Sequence, residues 1–381
     1  MKALMLASVA SMIDQFNMEN IALLQELGYE VHVVCNFENG NTSSQERVKA
    51  FRKELEKKNV TSISYPIPRK ISAISDIIQS YKLVRKLVKE QQYDIVHCQS
   101  PIGGVITRLA CKGQRKRELK LVYTAHGFHF YTGASKLNWM IFYPIEKYLA
   151  KYTDVLITIC KEDYMRAKKS IPAKHVVYTP GVGIQVEKLQ ELPCDLKKRE
   201  EIGIKPEEKV IYSIGELNTN KNHETIIHAM AQLERQDVHY VVCGQGNQME
   251  HLREIAKELG VENNVHLLGF RTDAKEWLKC ADIFAFPSYR EGLPVSLMEA
   301  MAVGLPVVCS RIRGNVDLIE EGKGGYMYAA NDIEGFTNGL TRLLENEKER
   351  EAFALFNQKK VENFSRKQVQ RIMKRVYGNL Q

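Results

Sequence analysis

The chain has 381 residues, of which 44% are hydrophobic and 26% charged, and its formal net charge is +8 at pH 7. That length exceeds what one hydrophobic core usually serves, so two domains are expected, and the composition is ordinary for a soluble globular protein. No apolar run approaches the roughly 20 residues of a membrane span. The positive charge comes without a helix-turn-helix, zinc-finger or RNP-like pattern, which argues against nucleic acid and leaves an anionic membrane surface or anionic substrates.

Met1 to Ser8 is too short and too soon polar for a signal peptide and reads as a first buried strand. Further strands are expected over 31–35, 61–65, 95–98, 121–124, 155–159 and 176–178. The spacing of apolar positions predicts helices over 18–27, 45–57, 76–89, 102–111 and 136–150. Strands over 210–214, 240–243, 265–268, 283–286 and 306–309 repeat the theme, and a last helix covers 366–377. Such alternation predicts a parallel α/β architecture, two Rossmann-like domains facing one another across a cleft. Thr179-Pro180-Gly181-Val182-Gly183, followed by the charged stretch 190–208 with Pro193 and Pro206, reads as the linker. Neither half carries the Gly-x-Gly-x-x-Gly fingerprint after its first strand; Cys243-Gly244-Gln245-Gly246 is a Gly-x-Gly only.

Eight cysteines contain no Cys-x-x-Cys pair, and most lie in apolar strand-like runs such as those of Cys35, Cys98, Cys243 and Cys309. They are expected to be reduced, buried thiols of a cytoplasmic protein, not disulfides or zinc ligands. Arg115-Lys116-Arg117 and Lys82 to Lys89 read as solvated faces. The segment from Phe128 to Tyr143 interleaves aromatics with lysines, as a surface resting on lipid headgroups does, and a core helix explains the same residues equally well.

The most informative stretch runs from Arg290 to Ala300. A strand delivers the chain to Glu291, Gly292 permits close backbone approach, and Pro294 suits the first turn of a helix. Free N–H groups at such a helix start favour phosphate. One carboxylate beside that site (Glu291) and one deeper in the helix (Glu299) would grip the hydroxyls of two sugars, the shape of a nucleotide-sugar. A surface loop with two solvated glutamates is the plain alternative. The pair stands, however, in Glu-Gly-Leu-Pro…Glu-Ala-Met-Ala-x-Gly-x-Pro-Val-Val, which closely resembles the signature of retaining glycosyltransferases of family 4, on the GT-B fold. The resemblance covers nearly the whole chain, most strongly its second half.

The resemblance implies an acceptor-binding domain over 1–185, a nucleotide-sugar domain over 186–365, and a final helix over 366–381 that crosses back to the first. It implies a donor site of Gly215, Asn218, Lys221, Gly269, Phe270, Glu291, Gly292, Leu293, Pro294, Val295 and Glu299. Lys221 would hold the diphosphate, Glu291 would position the transferred sugar, Glu299 would hold the ribose, and Gly269-Phe270 would meet the base. His126, after a strand, resembles the family's donor-sugar histidine; His97, His129 and His223 are expected to be structural. Members commonly carry an arginine where this chain has Glu216, so the phosphate grip falls to Lys221, the helix start near Gly292–Val295 and Asn218. They often carry Gly-Gly after the first strand, where this chain runs Ser8-Val9-Ala10-Ser11-Met12 as a loop. Ser11, Gly103 and Gly104 are the acceptor-side candidates, although the two glycines would serve tight helix packing as well. No Asp-x-Asp occurs anywhere, so catalysis without metal or cofactor is expected. The implied partners are a UDP-sugar donor and a saccharide or polyprenyl-diphosphate-linked acceptor. Details such as Ala125-His126-Gly127-Phe128-His129-Phe130-Tyr131 look like capsule and exopolysaccharide enzymes, which places the protein in the cytoplasm with peripheral contact at the anionic inner face of the cell membrane. Two other readings are a sugar-nucleotide epimerase on the same fold and a non-catalytic partner subunit.

Overall fold

The computed structural model describes residues 1–380, with the side chains of 115–117 excepted, so the solvated face read there lies outside the described residues. The chain divides into two compact units, Met1–Thr179 with Val369–Gln381, and Pro180–Gln368.

The first unit is built on strands β1 (Lys2–Val9), β2 (Glu30–Asn36), β3 (Thr61–Ser64), β4 (Ile95–Gln99), β5 (Lys120–Ala125), β6 (Val155–Thr158) and β7 (His175–Tyr178). Between them run helices α1 (Ala10–Phe16), α2 (Met18–Glu26), α3 (Gln45–Lys57), α4 (Ile74–Gln91), α5 (Pro101–Cys111), α6 (Lys136–Ala150) and α7 (Lys161–Ser170). The strands form a parallel sheet in the order β3-β2-β1-β4-β5-β6-β7. Crossover helices cover both faces of such a sheet, so a strand must be apolar on both sides. β1 obeys: Ala3, Met5 and Ala7 pack into one core with Val31 and Val33, whereas Leu4 and Leu6 pack into the other with Val96 and Leu121. The order reverses between β1 and β4. A ligand crevice forms outside the carboxyl ends of the strands at such a point.

The stretch read as a loop after the first strand is none. β1 runs to Val9 and α1 starts at Ala10. Ser8 and Ser11 are buried there, and the Ser8 and Ser100 hydroxyls meet at 2.7 Å, tying the end of β1 to the start of α5.

The second unit contains α8 (Val186–Gln190), α9 (Lys197–Glu200), β8 (Lys209–Ile214), α10 (His223–Leu233), β9 (Val238–Cys243), α11 (Met249–Glu258) and β10 (Val265–Leu267). It continues through α12 (Ala274–Trp277), β11 (Ile283–Phe286), α13 (Val295–Ala302), β12 (Val307–Ser310), α14 (Asn315–Leu318), β13 (Gly325–Tyr328), α15 (Ile333–Glu345) and α16 (Glu347–Val361). Its parallel sheet has the order β10-β9-β8-β11-β12-β13, reversing between β8 and β11. β13 was not legible as a strand: it is four residues long and opens on Gly325, whose absent side chain lets the Val307 carbonyl approach.

The charged stretch 190–208, read as linker, instead belongs to this unit. Arg199 is buried and donates to the carbonyls of Cys280 (2.7 Å) and Glu208 (2.8 Å) and to the Asp282 carboxylate (3.0 Å). A guanidinium offers five donors in a fixed fork, which suits it to tie three segments at once. Helix α17 (Arg366–Gly378) returns to the first unit from Val369 onward. There Tyr377 is fully buried, and its hydroxyl meets His97 Nδ1 at 2.6 Å. Among the described residues, no helix is long and apolar enough to cross a membrane. The cysteines are free thiols, buried except for Cys194.

Candidate active site

In the second unit, the two loops that leave β8 and β11 at the reversal point are cross-linked. Tyr289 N–H donates to the Asn220 carbonyl at 2.9 Å, and Asn220 Nδ2 to the Arg290 carbonyl at 3.0 Å. The β8 loop is itself braced by side chains. Glu216 accepts from Asn218 Nδ2 at 2.8 Å, and Asn218 Oδ1 accepts from the Lys221 N–H at 3.0 Å. The glutamate that replaces a family cation therefore serves the turn that aims Lys221. A Cβ on Gly244 would fall 1.7 Å from the Gly215 carbonyl oxygen, and one on Gly246 would fall 2.1 Å from that of Leu217. The weak Gly-x-Gly signal thus marks the seat of the β8 loop.

This bracing brings Lys221 and Glu291 together. Lys221 Nζ lies 2.7 Å from Glu291 Oε1 and 4.7 Å from the centre of the Phe286 ring, and its stem passes over Gly215. Both charged side chains are largely withdrawn from solvent, at 19% and 14% exposure, so Glu291 is not the solvated glutamate of the plain alternative. Arg313 Nε donates to the Glu291 carbonyl at 3.2 Å. Gly314 sits at φ +84°, and a Cβ there would meet the Gly292 oxygen at 2.2 Å. Arg313 is a cation that sequence reasoning missed; its loop follows β12 and carries no local motif.

Pro294 caps α13 in extended conformation, and the Met298 N–H makes the first turn's bond back to the Pro294 carbonyl at 3.3 Å. The N–H groups of Val295, Ser296 and Leu297 precede that bond and have no helical acceptor. Leu293 is buried against Gly181. Glu299 lies about one turn inside the helix and is buried, with Lys275 Nζ at 2.6 Å. Burial pushes its pKa up and the Lys275 ammonium pulls it down, with a net rise. Lys275 was also missed, since nothing in its local sequence points to α13. Beyond β10, Gly269 adopts φ +69° and its carbonyl accepts from the Gly244 N–H at 2.8 Å. Phe270 projects into solvent at 71% exposure.

In the first unit, His126 stands at the end of β5, partly buried, its ring 6.2 Å from that of Phe16. Its proton can be placed by following hydrogen bonds outward from the backbone. Asn17 Nδ2 donates to the Met12 carbonyl at 3.1 Å, which fixes that amide and turns Oδ1 toward Gln99. Gln99 Nε2 donates to Asn17 Oδ1, so Gln99 Oε1 faces His126 Nε2 at 2.6 Å and must accept from it. His126 is therefore the Nε2–H tautomer, with Nδ1 as its acceptor. Burial lowers its pKa to about 4, so the ring is neutral at pH 7. His97 and His223 are structural as expected: both are buried, bonded to Tyr377 and Tyr240 respectively, and lowered to about 3 by burial.

Ser11 lines a cavity of the first unit. Gly103 and Gly104 do not; they serve packing. A Cβ on Gly104 would lie 2.5 Å from the Tyr123 ring, and one on Gly103 would lie 2.8 Å from Ser100 Oγ.

Comparison with known proteins agrees with this picture. The family described as Glycosyltransferase Family 4 matches residues 17–184, and Glycosyl transferases group 1 matches residues 195–360. The Bacillus subtilis protein EpsD, named as a glycosyltransferase, is 32% identical over 90% of this chain and 87% of its own length. An Escherichia coli enzyme, UDP-Gal:alpha-D-GlcNAc-diphosphoundecaprenol alpha-1,3-galactosyltransferase, is 28% identical over 90% of this chain and 87% of its own. Among solved structures, HepE of Anabaena in complex with UDP superposes with a TM-score of 0.79 at 20% identity over all of both chains. WaaG, a glycosyltransferase involved in lipopolysaccharide biosynthesis, gives 0.72 at 19% identity over 98% of this chain and 99% of its own. The chain belongs to glycosyltransferase family 4 and is a glycosyltransferase of the GT-B fold.

Proposed function

We propose that the protein transfers a sugar, with retention of anomeric configuration, from a UDP-sugar to a saccharide carried on a polyprenyl diphosphate, in the assembly of a bacterial surface polysaccharide. The observation that carries the donor half is the Lys221–Glu291 pair, desolvated and braced at the reversal point of the second sheet. In this reading the donor diphosphate takes Lys221 as its cation and the free N–H groups of Val295, Ser296 and Leu297 as donors. Glu291, released from the lysine, accepts from hydroxyls of the transferred sugar, and Glu299 holds the ribose. Gly269 and Phe270 meet the base edge. The bond between the sugar C1 and the diphosphate oxygen breaks, and the bond from C1 to the acceptor oxygen forms on the same face. The acceptor proton passes to the departing phosphate oxygen, so Glu291 positions substrate and is no general base. His126 accepts a hydroxyl hydrogen through Nδ1. Lys221 supplies the charge that a metal supplies in enzymes with Asp-x-Asp.

The lipid-linked acceptor and the UDP donor are supported by the E. coli relative, whose name contains both, and by HepE, crystallised with UDP. The test is incubation with UDP-, GDP- and ADP-sugars with and without a polyprenyl-diphosphate saccharide, in EDTA. Acceptor-dependent release of UDP, with an α-linked product from an α-linked donor, is expected. An absolute Mg²⁺ requirement overturns the lysine-based mechanism; interconversion of UDP-sugars without acceptor makes the protein an epimerase.

A further inference from the structure

At the reversal point of the first sheet lies a cavity of about 510 Å³, the size of a small-molecule pocket, which the donor chemistry does not use. Ser8 and Ser100 line it at the ends of β1 and β4, Ser11 lines it from the first turn of α1, and Phe16, beside the His126 ring, lines it as well. From there it is walled by hydrocarbon, chiefly Ile71, Ile77, Ile102, Ile141 and Ile145. Its lining contains no aspartate or glutamate; the ionisable side chains on it are Arg69 and His129. At its outer end the apolar surface is not closed over: Ile71, Ile141 and Ile145 are 57%, 41% and 41% exposed, beside Ile74, Leu137 and Met140 at 64%, 62% and 74%. Apolar exposure concentrated around one opening marks a binding surface. The α6 wall is fixed, because Glu146 makes a bidentate pair with the buried Arg108, whose guanidinium lies 3.9 Å over the Tyr123 ring.

We propose that this cavity takes the hydrocarbon chain of a prenyl diphosphate, with Arg69 on the anionic head side and the chain leaving between Ile71 and Ile145. An anionic head on a branched apolar chain matches what the lining offers: the exposed cation Arg69, which donates to the Gly40 carbonyl at 3.1 Å, a few hydroxyls and many isoleucines. A flat lipid surface would reach Leu137, Met140 and Ile74 but not the recessed Ile102 and Phe16. The inference rests on the lipid-linked acceptor reading and gives that acceptor's chain a place.

The experiment is calorimetric titration of the full chain, without donor, with farnesyl diphosphate and with dimethylallyl diphosphate, which share a head and differ in chain. At least tenfold tighter binding of the longer chain is expected. Ile71→Gln/Ile145→Gln changes exposed positions, so it should keep the wild-type melting temperature and UDP binding while losing that preference; the single Ile145→Gln serves if the double variant melts early. Equal affinity for both chains, or a preference that survives the substitutions, overturns the proposal. So does loss of flotation with phosphatidylglycerol vesicles in a variant that keeps the chain preference, which would assign the isoleucines to the membrane surface. Acceptor-dependent UDP release is measured separately, so failure of the transferase reading is told apart from failure of the cavity.

Discussion

The two reversal points of this protein are built from opposite materials. The one in the second unit is a polar lattice in which side chains and backbone carbonyls position a single ion pair, Lys221 with Glu291. Its counterpart in the first unit is a mostly hydrocarbon cavity beside a neutral histidine whose proton is fixed by two amides. On the proposed reading, one sheet topology accommodates two kinds of ligand. A diphosphate needs charge and N–H groups held without reorganisation, which demands bracing over short loops. An apolar chain needs area and shape, which isoleucines from several helices supply without a local motif.

The two sites respond to separate substitutions. The largest effect is expected from Lys221→Ala, which removes the cation and leaves Glu291 as an unpaired carboxylate in the same pocket; kcat should fall by a factor on the order of 10² or more. A fall of less than about threefold would move the phosphate grip to Arg313 or the helix start. Glu299→Ala should weaken UDP binding by about 10- to 100-fold, the scale of hydrogen bonds to a charged group, with little change in kcat, measured by titration and initial rates. Gln99→Leu leaves His126 Nε2–H without its acceptor and frees the tautomer. It should lower kcat about tenfold and shift the acid limb of the pH–rate profile, while UDP affinity in the second unit stays the same. An unchanged profile would remove His126 from the chemistry.

The smallest effect should appear in melting temperature against pH. His97, His126 and His223 have folded pKa values of about 3, 4 and 3 against an ordinary 6.5, because burial disfavours their charged forms. The unfolded chain therefore binds more protons below pH 6.5, so stability is full above that value and declines as pH falls toward 4. His97→Gln should flatten the decline without altering its onset. A melting temperature that is level between pH 7 and 4.5 would contradict buried neutral rings.

Much of the fold was legible because parallel strands must be apolar on both faces, and runs such as Lys2–Val9 and Val238–Cys243 announce themselves. What was misread lay where local pattern and packing part company. The charged 190–208 has the composition of a linker, yet its Arg199 is bonded to Cys280, Glu208 and Asp282. Gly325 hid a strand, because a glycine at a close approach looks like a breaker. Gly103 and Gly104, read equally as cleft or packing residues, have tight packing neighbours that only the fold supplies, Ser100 against the first and Tyr123 against the second.

The α/β alternation, the helix start after Glu291 and the residue types proposed for a diphosphate grip were written in the sequence, because periodicity, turn chemistry and capping act over a few neighbouring residues. Only the packed fold set Lys221 against Glu291 with Arg313 on the Glu291 carbonyl, Lys275 against Glu299, the His126 tautomer through a chain of amides, and distant isoleucines around one cavity. Those outcomes depend on which strands lie side by side, and that is settled by burial of the whole sheet, not by any local stretch of chain.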